Sequence, residues 1–304
     1  MLQLTSKAAD PTAAARLAVE QARVTQSGTF DQQAEKAKAR WDSKTSSASG
    51  KAAFAQIKAD LLSMCVGVEL CNYCENNEAT DVEHIFPKSS FPSLAFEWDN
   101  YLLACKICNT TYKGDGFAVF DPAALNTVHE LTPQLRPRTT PPTIDSAFIN
   151  LRDSAEDPLH LLWLDIQGRT YGFAEHPALT SARDKAKAAY TLRLLQLNDR
   201  PPLLAARKAA FQFFRERLER CGEAVAAADF DDLARLVKKL EPDHERVDRT
   251  KPLAQEKARV LAAIRRDIQT HSHPTVWAEM KRQRADLPNI DNFFRAAPPE
   301  ALSW

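Results

Sequence analysis

Residues 71–115 read CNYCENNEATDVEHIFPKSSFPSLAFEWDNYLLACKICNTTYKGD. Four of the chain's six cysteines lie here, as two Cys-x-x-Cys pairs, Cys71/Cys74 and Cys105/Cys108. A two-residue spacer lets both sulfurs of a pair face one ion from a tight turn, and four thiolates complete a closed tetrahedral zinc site. The thirty residues between the pairs exceed the ~15–20 of a simple zinc ribbon, so a small unit is inserted. Four buried thiols without metal, or a redox pair, are the competing readings; two matching pairs favour metal. The isolated Cys65 and Cys221 read as core residues.

The inserted unit reads strand, loop, strand, helix. Val82-Glu83-His84-Ile85-Phe86 has the branched and aromatic residues of a strand, and Pro87 ends it. Tyr101 to Ala104 reads as a second strand. Lys106 to Lys113 reads as a short helix with Gly114 as its stop. Strand neighbours Glu83 and His84 point to opposite faces unless a bulge re-aims one. Asn109 falls in the first turn of the helix, beside the zinc through Cys108. Phe86, Phe91, Phe96 and Trp98 read as packing groups.

Outward from this stretch, helices dominate. Residues 8–26 form a helix capped by Asp10 with Pro11 at its first position. Residues 31–41 form a second, and Ser43–Gly50 a polar loop. Phe54, Ile57, Leu61 and Leu62 mark a third helix over 51–64. A proline-rich connector follows at 132–143, then a hairpin at 159–173 turning at Gln167-Gly168. Helices are expected near 179–197, 201–221, 229–240, 252–270 and 274–285, punctuated at Pro201-Pro202, Glu241-Pro242 and His273-Pro274. The tail from Asn289 to Trp304 is apolar in patches and suited to docking on the body or on a partner. His244, His271 and His273 look exposed.

The fold class is therefore α+β, mostly α. The expected division is a helical region at 1–68, the cysteine-flanked module at 69–121, connector and hairpin at 122–178, and a helical region at 179–304. At 304 residues with 44% hydrophobic and 26% charged content, the chain is an ordinary globular one. It lacks any apolar run near ~18 residues and any secretory pattern at Met1–Lys7, which implies a cytoplasmic protein without a membrane span. Formal net charge is zero, unlike a free-standing nucleic-acid binder. The 71–115 stretch is acidic, with Glu75, Glu78, Asp81, Glu83, Glu97, Asp99 and Asp115 against Lys88, Lys106 and Lys113. The basic residues concentrate in the last third, from Arg207, Lys208, Arg215, Arg217 and Arg220 to Arg284. A grip on a polyanion must come from there or from a partner, unless these are solvated helix faces.

Glu-His-Ile-x-Pro, Asp-Asn-x-Leu-x-x-x-Cys-x-x-Cys-Asn and Lys-Gly-Asp together resemble the HNH endonucleases, whose ββα-metal core carries a treble-clef-like zinc knuckle in many members. The resemblance implies His84 as general base, Glu83 and Asn109 as ligands of a catalytic Mg²⁺ or Mn²⁺, and Asn100 as loop organiser. It implies Cys71, Cys74, Cys105 and Cys108 as the structural zinc ligands. Asn109 stands where the family often has histidine, and Glu83 where aspartate is common, so Asp81 can share the ligand role. Lys113 is a candidate substrate-phosphate contact. Hard oxygen donors suit Mg²⁺ or Mn²⁺, and neutral histidine can take a proton from water at neutral pH.

A narrower resemblance, over about 50–220, is to the Septu-type (PtuB) and retron-associated HNH nucleases of bacterial anti-phage systems. It rests on the helical lead-in to Cys-x-Tyr-Cys-Glu, on the Pro-Lys-Ser-x-Phe-Pro run after His84, on Asp157-Pro158-x-His160 and on Leu194-Leu195-Gln196-Leu197-Asn198. It implies a nuclease effector working with an ABC/SMC-like ATPase partner. DNA is the expected substrate. Two other readings stay open: an RNA-cleaving enzyme, and a non-catalytic zinc module that binds nucleic acid or protein.

Overall fold

A computed structural model describes residues 1–131, 140–240 and 244–304. Most of the proline-rich connector and the Glu241-Pro242 break lie outside them. The chain divides into two compact units, residues 1–163 with 172–201, and residues 164–171 with 202–304.

The first unit begins with three helices, α1 (Pro11–Thr25), α2 (Phe30–Asp42) and α3 (Ala48–Leu62). Asp10 caps α1 by accepting from the Thr12 and Ala13 amides, and Thr29 and Gln32 form a reciprocal capping box on α2. The expected loop at 43–50 is shorter than its composition suggests. Ser47 accepts from the Gly50 amide and starts α3 at Ala48. A side chain at Gly50 would meet the Lys44 carbonyl at 2.2 Å, so glycine permits a close approach here.

The three helices bury Leu17, Val24, Trp41, Phe54, Ile57 and Leu61 against Phe96, Tyr101 and Leu103 of the cysteine-flanked module. In that module β1 (Asp81–His84) pairs antiparallel with β2 (Tyr101–Ala104), His84 opposite Tyr101 and Asp81 opposite Ala104. The segment after β2 departs from the expected α-helix. Ile107–Lys113 is a π-helical turn, closed by a 2.7 Å bond from the Gly114 amide to the Asn109 carbonyl. The positive φ of 48° at Gly114 ends it. A second hairpin, β3 (Ala118–Asp121) with β4 (Ala124–Glu130), follows.

The expected long hairpin at 159–173 is partly helical. Asp157 accepts from the Leu159 amide and Pro158 opens a single turn, α4 (Pro158–Leu161). This cap-and-proline start outweighs the strand propensity of the residues that follow. Only β5 (Leu162–Leu164) and β6 (Phe173–Glu175) remain as strands. Helix α5 (Ala182–Leu195) completes the first unit's named elements.

The second unit is built on α6 (Pro201–Ala226), α7 (Phe230–Leu240), α8 (Leu253–Thr270), α9 (Pro274–Arg282) and α10 (Pro288–Ala296). The tail docks on this unit: the Trp277 and Phe294 rings lie 5.3 Å apart, and Trp277 Nε1 donates to the Trp304 backbone oxygen at 2.8 Å. The histidines expected to be exposed are not. His244 is buried with Nε2 2.8 Å from Asp267, His273 is buried, and His271 is half-buried and stacked on Phe213. Arg207 and Arg217 are likewise buried, so they are not part of a solvated basic face. Cys221 is buried, as expected of a core thiol, and Cys65 half-buried. Among the described residues, no helix is long and apolar enough to cross a membrane.

Candidate active site

The frame comes first. The sulfurs of Cys71, Cys74, Cys105 and Cys108 all lie within 4.8 Å of one another, and all four residues are buried. Cys74 and Cys105 are 3.9 Å apart, close to the ~3.8 Å edge that Zn–S bonds of ~2.3 Å impose on a tetrahedron. The surroundings suit thiolates: Arg200 Nη1 lies 3.3 Å from Cys108 Sγ, Asn77 Nδ2 3.7 Å from Cys105 Sγ, and the Cys108 amide 3.4 Å from the same sulfur. Donors to sulfur orient the ligands and offset their charge. The four residues fit a structural zinc. The first knuckle is also tied to the sheet. The Asn72 amide donates to the Leu103 carbonyl at 3.0 Å, and the Leu103 amide donates to Asn72 Oδ1 at 3.0 Å.

On this frame β1 presents its two faces. His84 is buried on the face toward the N-terminal helices. Its ring centroid is 4.2 Å from that of Trp41 and 5.2 Å from that of Tyr101. Its Nε2 lies 2.9 Å from the Ala95 carbonyl, which also accepts from the Tyr101 hydroxyl at 2.7 Å. A carbonyl oxygen only accepts, so Nε2 carries the proton and Nδ1 is left with the lone pair. Burial first, then the Lys88 charge, pushes the imidazole down to about 3, which keeps it neutral.

Asp81 and Glu83 share the other face, two residues apart. Glu83 is buried, and its Oε1 lies 2.6 Å from Lys113 Nζ. The same ammonium donates to the His84 carbonyl at 2.7 Å. Lys113 is fully buried in this pair; that corrects the expectation that it offers its charge to a substrate phosphate. Burial still raises the Glu83 carboxyl above its ordinary range, despite Lys113 and Lys88. The carboxylate is short of positive charge. Asn109 Nδ2 donates to Asp81 Oδ2 at 3.0 Å, so its amide oxygen is the remaining donor. Two carboxylates and an amide oxygen are the hard set that Mg²⁺ or Mn²⁺ takes. These residues fit such an ion.

Asn100 braces the loop between the strands. Its Oδ1 accepts from the Phe86 amide at 2.7 Å, and its Nδ2 donates to the Phe86 and Leu94 carbonyls at 2.9 and 2.8 Å. From outside the module, Gln21 of α1 holds the same loop through the Pro92 carbonyl and the Phe96 amide, at 3.1 and 2.9 Å. Phe91 and Phe96 are buried, and Phe86, Phe91 and Phe117 pack ring on ring.

Glu83, His84 and Asn109 line one cavity of about 320 Å³, together with Trp41, Lys88 and Asp115. Asn100 and Lys113 lie behind its wall rather than in its lining. Trp41, from α2, was not singled out by the sequence. Its local sign is a second aromatic residue, after Phe30, on a largely polar, alanine-rich helix.

Residues 71–114 match the model of the HNH endonuclease family. The matched segment runs from the first cysteine pair through β1 and β2 to the π-helical turn, and so contains the four-cysteine cluster. The Septu protein PtuB of Bacillus thuringiensis is 42% identical over 57 residues. That alignment covers 17% of this chain and 22% of the relative, so the likeness is local. No solved structure matches the chain.

Proposed function

We propose that this chain is a divalent-metal-dependent endonuclease that hydrolyses phosphodiester bonds in DNA. We place it in the bacterial cytoplasm as the effector of an anti-phage defence system, working with an ABC/SMC-like ATPase partner. The observation that carries the catalytic part is the meeting of Glu83, His84 and Asn109 at one cavity, with His84 Nε2 held as a donor. His84 then acts through Nδ1 as the base that takes a proton from the attacking water. The Ala95 carbonyl fixes its tautomer, and the Trp41 and Tyr101 rings fix its plane. Glu83 and Asn109, with Asp81 alongside, would hold Mg²⁺ or Mn²⁺. Such an ion supplies polarisation of the scissile phosphate and stabilisation of the leaving oxygen. Asn100 keeps the loop from shifting, and Lys113 balances part of the Glu83 charge.

The defence role is supported by the 42% identity to a Septu protein, and the partner by the local acidity of the module, which calls for substrate affinity from elsewhere. The test is cleavage of labelled plasmid DNA, linear DNA and RNA with Mg²⁺, Mn²⁺ or EDTA, with and without the product of the neighbouring gene. Metal-dependent DNA cleavage, stimulated by an ATPase neighbour, is expected. Cleavage of RNA alone would replace the substrate, and inertness of the zinc-loaded protein with its neighbour present would leave a binding module.

A further inference from the structure

The second unit contains a cavity of about 510 Å³ that shares no lining residue with the cavity at Glu83, His84 and Asn109. One wall is the face of α6 formed by Lys208, Phe211, Gln212 and Arg215, spaced i, i+3, i+4, i+7. The facing wall is the 166–171 loop, which contributes Arg169. Residues 286–290 close the rim. Arg169, Lys208 and Arg215 are exposed. None of the three makes an ion pair with a carboxylate among the described residues. This is unlike Arg217, Arg220 and Arg235 of the same unit, which are paired. The one carboxylate in the lining, Asp286, accepts from Gln167 Nε2 at 3.4 Å.

The loop is built rather than loose. Asp165 accepts from the Gly168 amide at 2.6 Å and the Thr170 hydroxyl at 2.7 Å, and its carbonyl accepts from the Tyr171 amide at 3.0 Å. The buried Arg207 reaches the Tyr171 carbonyl at 3.2 Å. These bonds hold two non-glycine residues at positive φ, Arg169 at 61° and Tyr171 at 56°. Such strain persists only where the surroundings impose it, and it gathers at ligand sites. Here it turns Arg169 toward the same cavity as Lys208 and Arg215. Between the two α6 cations lies Phe211, half-buried, with its ring 5.8 Å from that of Tyr171.

Three uncompensated cations around a half-buried aromatic ring, with a side-chain amide next to it, match one ligand chemistry. We propose that this cavity binds a nucleotide, its phosphates on Arg169, Lys208 and Arg215 and its base against Phe211. The cavity has the size of a small-molecule site, and aromatic stacking beside cations is how unpaired bases are held. The nucleotide can be free or one unit of a single strand. Duplex is excluded by the need for an exposed base face. The proposal does not rest on the nuclease reading.

The test uses the full-length, zinc-loaded chain without added divalent ion, and a fluorescein-labelled single-stranded oligonucleotide followed by anisotropy. ATP, pyrophosphate and the matching duplex serve as competitors. The strand should bind, ATP should displace it, and the duplex should compete poorly. Lys208→Glu/Arg215→Glu, both on the surface, should keep the wild-type melting temperature and weaken binding about 30-fold or more. The slope of log K against log salt should fall from about −2, for three cations, to about −0.7, for one. Phe211→Leu should weaken strand and ATP but not pyrophosphate. ATP displacement identifies a free nucleotide as a competent source; strand binding that ATP does not displace identifies the strand. Three results would overturn the proposal: no binding of strand or ATP, binding unchanged in the charge-reversed variant, or duplex binding as tight as single strand. Repeating the titration in His84→Ala separates this site from the HNH cavity, because binding here should persist.

Discussion

Two of the buried glutamates of the first unit, Glu20 and Glu83, are treated differently. Glu20 on α1 is surrounded by Arg16, Arg23 and Arg40, with contacts of 2.8, 2.9 and 2.5 Å. Burial pushes its carboxyl up, but the Arg40 hydrogen bond and the three positive charges overcome that and hold it below its ordinary range. Among the described residues Glu83 on β1 has one ion-pair partner, Lys113, and burial wins. The first is a structural charge that its neighbours satisfy completely. The second is a buried carboxylate left short of positive charge, at the wall of a cavity, next to the histidine whose tautomer is fixed. Replacing a buried ion pair by apolar groups is often neutral or stabilising, so folding alone does not require the second arrangement.

The strongest way to break the comparison is to remove the frame that mounts Glu83. Cys105→Ser, or exhaustive zinc chelation, should unfold the 71–115 module while leaving the second unit's helices folded. The check is one zinc per wild-type chain by atomic absorption, and loss of hydrogen-exchange protection confined to the first unit. Structural zinc in small modules supplies about 10–16 kcal/mol, so no smaller contact compensates.

Next comes the pair itself. Lys113→Met leaves Glu83 buried without its partner and should cost about 3–5 kcal/mol in urea unfolding. Glu83→Gln/Lys113→Met removes both charges and should recover most of that stability, to within about 1 kcal/mol of wild type. It should not recover metal-dependent cleavage. A double variant that is stable and still cleaves would make Glu83 a structural residue like Glu20.

Glu20→Gln should have the smallest effect, about 1 kcal/mol at neutral pH, because the arginines remain partly solvated. The sign with pH is fixed by the lowered carboxyl. The native state binds the Glu20 proton less readily than the unfolded chain does, so its contribution is complete above the ordinary glutamate range and disappears as pH falls through the lowered value. Wild type and Glu20→Gln should therefore differ in thermal unfolding at pH 7 and converge only as the pH falls well below the ordinary glutamate range.

Much of the site was legible in residues 71–115 because its chemistry is local. Cysteine spacing, the strand that carries Glu83 and His84, and Asn109 following Cys108 are all short-range patterns. Three things were not. Trp41 reaches His84 from α2, and nothing in its own helix announces a long-range contact. The burial of Lys113 depends on the π-helical turn, whose extra residue per turn swings that side chain under β1; an α-helical reading leaves it free. The burial of Arg207, Arg217, His244 and His273 is a property of helix packing in the second unit, and residue type alone argued for exposure. The early start of α3 is different: it is a local cap, Ser47 accepting from the Gly50 amide, hidden in a polar serine-rich run.

The central claim is that Glu83, His84 and Asn109 form a metal-dependent hydrolytic site. The most direct measurement is single-turnover cleavage of end-labelled DNA by His84→Ala beside wild type, both carrying their zinc, across a Mg²⁺ titration. The expected result is a loss of about 10²–10⁴-fold at every Mg²⁺ concentration, with partial rescue by added imidazole, in a variant that keeps its zinc and still unfolds cooperatively despite the stability lost with the buried ring. Wild-type cleavage by His84→Ala would contradict the claim.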